Sequence, residues 1–291
     1  MTRIVRSLAE ISAPYDALFV DLWGCVHDGV AALPDAVAAL QAYRKTGGKV
    51  VLLTNSPRPR ASVEIQLKGF GVPTDAWDTI ATSGDSARAA MFEGIVGDKV
   101  YFMGTEEEKA AFFKPLHLLH NPHEITTVPL EEAEGIVCCG APDAQAEPEV
   151  NRPTFLSAKA RGLKLLCANP DIVVDRGDRR EYCAGALAAL YTKMGGESLY
   201  FGKPHAPIYD LARRRLAELD PNIPDTRVLA IGDGIHTDIQ GAIGENIDCL
   251  FITGGLAAAE TATKTQPDPQ LLDNYLAKHS LSPTYSIGFL R

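Results

Sequence analysis

No apolar run in this 291-residue chain approaches the roughly 18 residues needed to cross a bilayer, which excludes a membrane-spanning class. The N-terminal Met-Thr-Arg-Ile-Val-Arg lacks the apolar core of a signal peptide, so a cytoplasmic location is expected and no membrane partner. The six cysteines (Cys25, Cys138, Cys139, Cys167, Cys183, Cys249) show no Cys-x-x-Cys spacing, which argues for reduced, buried thiols over a zinc site or a disulfide frame. Basic residues are in deficit, 28 against 37 acidic ones for a net charge of −9, and this disfavours nucleic acid as a partner while leaving room for a local phosphate pocket. Internal repeats and low-complexity segments are lacking as well, and Gly94–Gly97 carries no dinucleotide fingerprint.

What is present is the composition of a globular protein, 46% hydrophobic and 22% charged, at a length that predicts about two domains. Apolar runs alternate with helical segments, the pattern of a parallel sheet with crossover helices, and the class expected is α/β. The runs are Ala17–Val20, Lys49–Leu53, Val100–Met103, Gly135–Cys139, Leu163–Cys167, Ser198–Phe201, Arg227–Ile231 and Asp248–Ile252. Between the first two, Leu33-Pro34 opens a helix with Val37, Leu40 and Tyr43 on one face, and Gly47-Gly48 stops it. A second helix is expected from Arg60 to Lys68. The stretch from Ser86 to Glu181, punctuated by prolines, reads as a separate lobe. Ala257–Gln270 reads as a surface helix or loop, and the C-terminal tail carries no pattern.

In open parallel sheets ligands bind beyond the carboxyl ends of the strands. Four such ends here carry Asp21-Leu22-Trp23-Gly24, Thr54-Asn55-Ser56, Gly202-Lys203-Pro204-His205 and Gly232-Asp233-Gly234-Ile235-His236-Thr237-Asp238. Carboxylates, a hydroxyl and a lysine make up the inventory of phosphoryl transfer with Mg²⁺. Each piece alone has a plainer reading: a strand-end Asp forms turns, and Thr237 with Gln240 fits a capping box with Asp238 complementing the dipole. Lys203 is harder to explain this way, because before a helix starting near Pro204 a cation is repelled unless an anion is close.

In this order the four segments resemble the motifs of the haloacid dehalogenase superfamily, specifically its NagD-like class IIA phosphatases. Ala81-Thr82-Ser83 is similar to the family's entry into an inserted cap, and Asn169-Pro170-Asp171 with Cys183-Ala184-Gly185-Ala186-Leu187 to its exit region. The resemblance implies a Rossmann-like parallel-sheet core (residues 1–85 and 182–291) with an inserted α/β cap of C2 type (86–181). It further implies a Mg²⁺-dependent hydrolase of a small phosphorylated metabolite, with Asp21 attacking phosphorus to form an aspartyl-phosphate. Thr54 and the Asn55 backbone would hold phosphate oxygens, and Lys203 would neutralise charge on Asp21 and the phosphate. Asp21, Asp233 and the Trp23 carbonyl would hold Mg²⁺, with Asp238 supporting that site. Caps in related proteins can pair subunits, so the resemblance also allows a homodimer.

One position departs from the pattern. The family's phosphatases carry a second Asp two residues after the nucleophile as general acid and base, and this chain has Trp23, whose indole exchanges no proton near neutral pH. His27 and Asp28, further along the loop, are the candidates to substitute, with a surface-loop role as the plainer alternative. The alternative functions are a catalytically reduced phosphate-binding or regulatory protein and a phosphotransferase whose aspartyl-phosphate is not discharged to water. Asn169, Asp171, Arg176 and Arg179 are candidates for the substrate side of the cap. His117, His120 and His123 read as exposed loop residues, and Cys138-Cys139 as packing.

Overall fold

The computed structural model describes residues 2–114, 122–176 and 179–291. In chain order its elements are β1 (Arg3–Ile4), β2 (Ala17–Val20), α1 (Pro34–Lys45), β3 (Lys49–Thr54), α2 (Arg60–Gly69), β4 (Thr79–Thr82), α3 (Ser83–Phe92), β5 (Lys99–Met103), α4 (Glu106–Phe112), β6 (Thr126–Thr127), β7 (Gly135–Cys138), α5 (Arg152–Ala160) and β8 (Lys164–Cys167). Then follow β9 (Val173–Arg176), β10 (Arg179–Tyr182), α6 (Ala184–Lys193), β11 (Glu197–Tyr200), α7 (Ala206–Leu219), β12 (Val228–Gly232), α8 (Gln240–Gly244), β13 (Asp248–Ile252), α9 (Pro269–His279) and β14 (Tyr285–Ile287). Every apolar run read from the sequence is a strand. Among the described residues no helix is long and apolar enough to cross a membrane.

The chain divides into two compact units. The first comprises Met1–Thr54, Glu64–Ala81 and Tyr209–Arg291, and holds a seven-stranded sheet in the order β1-β14-β13-β12-β2-β3-β4. Pairing is parallel from β1 through to β3, and the central strands β2 and β12 are buried at every position because helices cover both faces. Helix α1 starts with Pro34 in its first turn and buries Val37, Leu40 and Tyr43, as their spacing requires. Asp35 in its first turn and Arg44 and Lys45 in its last complement the helix dipole.

The second unit comprises Asn55–Val63 and Thr82–Ile208. Its five-stranded sheet runs β11-β8-β7-β5-β6, all parallel, beside the antiparallel hairpin β9–β10. Alternation along the strands builds two cores. Ile136, Cys138, Leu165 and Cys167 face one that includes Phe155, Leu187 and Tyr191, while Val137, Cys139, Leu166 and Ala168 face the other with Phe112 and Phe201. These bounds differ from the insertion of 86–181 read in the sequence. Strand β11 pairs with β8, and α6 buries Leu187 and Tyr191 in this unit's core, so the second unit extends well past residue 181.

All six thiols are free and buried, and burial pushes Cys138 and Cys249 up to about 12. His123 is exposed and pairs with Asp98 at 2.7 Å, whereas His117 and His120 lie outside the described residues.

The second unit also contains a buried ion pair. Arg88 on α3 meets Asp85 at 3.1 Å and donates through Nε to the Phe112 carbonyl at 2.8 Å. Asp85 in turn accepts from the Arg60 N–H at 3.2 Å, so the ion pair ties three segments together. Removing one partner of a buried pair leaves the other charge poorly compensated, at a cost of about 3–5 kcal/mol. Arg88→Met is therefore expected to lose about that much stability in urea denaturation, and a loss below about 1 kcal/mol would show the pair to be dispensable.

Candidate active site

The central sheet of the first unit places the expected carboxylates. Strands β12, β2 and β3 are parallel neighbours, with Val20 opposite both Ile231 and Leu52. Asp21 and Asp233 therefore leave the carboxyl ends of adjacent strands, and Thr54, buried, ends the next one. The Asp21 N–H donates to the Ile231 carbonyl at 2.8 Å, which fixes the first residue of the β2 loop against β12. One ligand atom each from Asp21, Asp233 and Cys25 lie within 4.8 Å of one another, and all three residues are buried. Cys25, which the sequence placed only among buried thiols, is thus a neighbour of both carboxylates.

Two turns hold this arrangement. In the β2 loop Gly24 has φ +73°, a conformation that costs a side-chain-bearing residue energy, and a Cβ there would lie 2.4 Å from Asp233 Oδ2. In the β12 loop Asp233 Oδ2 accepts from the Leu256 N–H at 3.1 Å. Asp238 turns back: its Oδ2 accepts from the Gly234 N–H at 3.0 Å and from the Thr237 hydroxyl at 3.4 Å. Ile235–Ile239 form a π-helical turn, a geometry often found at functional sites. Thr237 lies inside that turn, and Ile239 precedes α8 without a side-chain cap, so the capping box suggested by Thr237 and Gln240 does not form.

Trp23 is half-buried and sets its ring edge-on to His27, with centroids 5.5 Å apart, while His27 lies 4.8 Å from Phe70. His27 Nδ1 accepts from the Gly29 N–H at 3.0 Å. Burial pushes the His27 pKa down to about 4, against the opposing pull of Asp28, so the ring is neutral at pH 7. Asp28 is exposed. Its Oδ1 accepts from the Ala31 and Val30 N–H groups at 2.8 and 2.9 Å, and these bonds hold the carboxyl below the usual range. Both residues have structural roles in the loop, and neither offers a readily donated proton at neutral pH.

In the second unit the side chain of Asn55 has a role the sequence reading did not give it, that of a clip on the Lys203 backbone. Buried, it accepts through Oδ1 from the Lys203 N–H at 2.7 Å and donates through Nδ2 to the Lys203 carbonyl at 3.1 Å and to Asp171 Oδ1 at 2.8 Å. The carboxamide matches both polar groups of one backbone residue, and Lys203 itself is 2% exposed. Asn169 Oδ1 accepts from the Asp171 N–H at 3.0 Å, closing the turn that presents Asp171 to Asn55. Arg176 and Arg179 face each other across the β9–β10 hairpin. Their side chains, and Asp178, lie outside the described residues.

The Gly24 geometry generates a comparison with Gly47, at φ +99° with nothing within 4 Å of the place a methyl would take. Gly47→Ala is expected to cost only the backbone strain, about 1 kcal/mol, and Gly24→Ala measurably more because the methyl meets Asp233. Thermal denaturation of the two variants checks this, and equal losses would remove the contact from the account.

Comparison with known proteins gives the family of the chain. Residues 18–114 match the family model of haloacid dehalogenase-like hydrolases, and residues 200–278 a second, HAD-hydrolase-like model. The crystal structure of a haloacid dehalogenase-like family hydrolase from Brucella suis is similar over 99% of this chain and 100% of that one, with 37% identity and a TM-score of 0.84. The p-nitrophenyl phosphatase of Archaeoglobus fulgidus shares the fold at 21% identity over 94% of this chain and 96% of its own, with a TM-score of 0.69. In sequence, D-glycerol 3-phosphate phosphatase of Mycobacterium tuberculosis is 25% identical over 274 residues, 89% of this chain and 69% of that protein. A relative that matches end to end and two family models flanking the middle of the chain lead to one assignment: the chain belongs to the haloacid dehalogenase-like hydrolases.

Proposed function

We propose that the protein hydrolyses small phosphate monoesters with a divalent cation, through covalent catalysis by Asp21. The observation that carries the reading is the buried Asp21–Asp233 pair at the ends of adjacent parallel strands. Oxygen donors at that spacing fit a hard cation such as Mg²⁺, and Asp21, Asp233 and the Trp23 carbonyl are the groups that would hold it, with Asp238 bracing the turn between. When bound, the cation neutralises charge on the transferring phosphoryl group.

The chemistry of the chain's own residues follows. An Asp21 oxygen attacks phosphorus, the P–O bond to the alcohol breaks as the new bond forms, and the leaving oxygen departs as an anion unless it is protonated. Water then attacks the phosphorus of the aspartyl-phosphate, releasing inorganic phosphate and restoring the carboxylate. By the resemblance of their motifs, Lys203 would neutralise phosphate charge, and Thr54 and the Asn55 N–H would hold phosphate oxygens. The named relatives act on glycerol phosphate and nitrophenyl phosphate, and small monoesters of that kind are the substrates proposed here.

Trp23 sets the limit. General acid–base help worth about 10²–10⁴-fold is missing at the usual position, and His27 is neutral and Asp28 ionised at pH 7. The deficit falls on substrates whose leaving group needs a proton. Nitrophenolate leaves as an anion, whereas a glycerol alkoxide is a far stronger base. The expected result is turnover of nitrophenyl phosphate that Asp21→Asn abolishes, weak turnover of glycerol phosphate, and a larger gain for glycerol phosphate than for the aryl ester in Trp23→Asp. Melting temperatures of the variants are compared alongside, because Trp23 packs on His27. Wild-type rates that are equal on both substrates would place the proton donor elsewhere. No turnover of either by the folded, Mg²⁺-loaded protein would favour a phosphate-binding or regulatory role.

A further inference from the structure

Outside the carboxylate site, two imidazoles meet on the first unit's surface. His236, in the π-helical turn after Asp233, and His279, in the last turn of α9, approach with Nε2 and Nδ1 2.9 Å apart. The pair is backed by aromatic packing. The His279 ring lies 4.5 Å from Tyr275, which stacks on Phe251 of β13 at 6.0 Å and 10°. The His279 ring is therefore held by its aromatic neighbours, and the exposed His236 ring meets it edge-on with centroids 4.7 Å apart.

One tautomer satisfies both contacts. Gln240 Oε1 lies 3.3 Å from His236 Nδ1, and an amide oxygen only accepts, so with the proton on Nδ1 the His236 Nε2 presents its lone pair to His279. A partner that holds the far ring nitrogen and leaves the near one available is the arrangement that orients a metal-ligating histidine. His279 meets this lone pair with its Nδ1–H. Moving that proton to its own Nε2 frees a second lone pair with no net proton release.

The spacing suits a shared ion. Two nitrogens about 2.0–2.1 Å from one cation sit about 2.9–3.4 Å apart for square or tetrahedral angles. The charges around His279 act in both directions: burial, His236 and Lys278 together hold its imidazole below the usual range, which keeps the ring neutral, while Glu260 and the C-terminal end of the eleven-residue α9 favour positive charge there.

We propose that His236 and His279 form a second cation site, selective for a late first-row divalent ion such as Zn²⁺, Ni²⁺ or Cu²⁺ and separate from the Asp21–Asp233 pair. Imidazole nitrogen suits these ions, while Mg²⁺ requires oxygen, so the two sites differ in the metal they take. An ion bound here ties the C-terminus of α9 to the turn between Asp233 and Asp238. Occupancy would thereby stabilise the segment that presents the carboxylate site, by binding the folded state alone.

The test uses untagged full-length protein in excess Mg²⁺, titrated with Ni²⁺ by calorimetry and followed by thermal denaturation. The wild type is expected to bind one Ni²⁺ ion and to melt at higher temperature with it. His236→Gln and His279→Gln are each expected to weaken binding by about tenfold or more and to lose the thermal shift. Asp233→Asn is expected to keep both. No Ni²⁺ binding by the wild type, wild-type affinity in the two histidine variants, or a site lost only in Asp233→Asn would overturn the proposal. Failure of the phosphatase reading would leave it standing, because no turnover enters the measurement.

Discussion

Two buried carboxylates that must face one another impose the constraint on which the first unit is built. Like charges within 4.8 Å repel, and a low-dielectric surrounding strengthens that repulsion unless donors or a cation compensate it. The fold answers with position and with donors. Parallel pairing of β2 and β12 puts Asp21 and Asp233 at neighbouring strand ends, the Leu256 N–H binds Asp233, and Gly24 leaves space where a methyl would strike its carboxylate. Asp238 does not join the three-residue ligand cluster. Its carboxylate binds the Gly234 N–H, so its contribution is to fix the turn that follows Asp233.

The loop after Asp21 exchanges proton chemistry for packing. Trp23, His27 and Phe70 form a chain of ring contacts, and His27 uses Nδ1 to hold the Gly29 N–H. A ring kept neutral by burial suits that acceptor role and is a poor acid at neutral pH. The same packing holds the Trp23 ring against His27 within the loop that follows Asp21. A protein with this loop is expected to select substrates by leaving group.

Much of this was legible in the sequence. All eight apolar runs are strands, and at β2 and β12 the reason is that a parallel strand covered on both faces must be apolar throughout. The strands that were not read lack that signature. Strand β4 is Thr-Ile-Ala-Thr and β1 and β6 are two residues long, while the β9–β10 hairpin lies in a charged stretch. The C-terminal tail, without a pattern of its own, supplies β14, which gains its role by pairing with β1 and β13. Sheet membership is equally invisible to local pattern: β11 reads as one more apolar run, and only its pairing with β8 assigns it to the second unit. The Asn55 clip on Lys203 spans 148 positions, a separation at which spacing carries no signal. The motif residues were recognised, then, while the bonds that hold them required the fold.

The central claim is that Asp21 and Asp233 together make one divalent-cation site. Isothermal titration of Mg²⁺ into the wild type, Asp21→Asn and Asp233→Asn tests it most directly, because either substitution removes one of two charged oxygen donors. The account predicts a single Mg²⁺ site in the wild type that is strongly weakened in both variants while their melting temperatures show a folded protein. Unchanged Mg²⁺ affinity in both variants would contradict it.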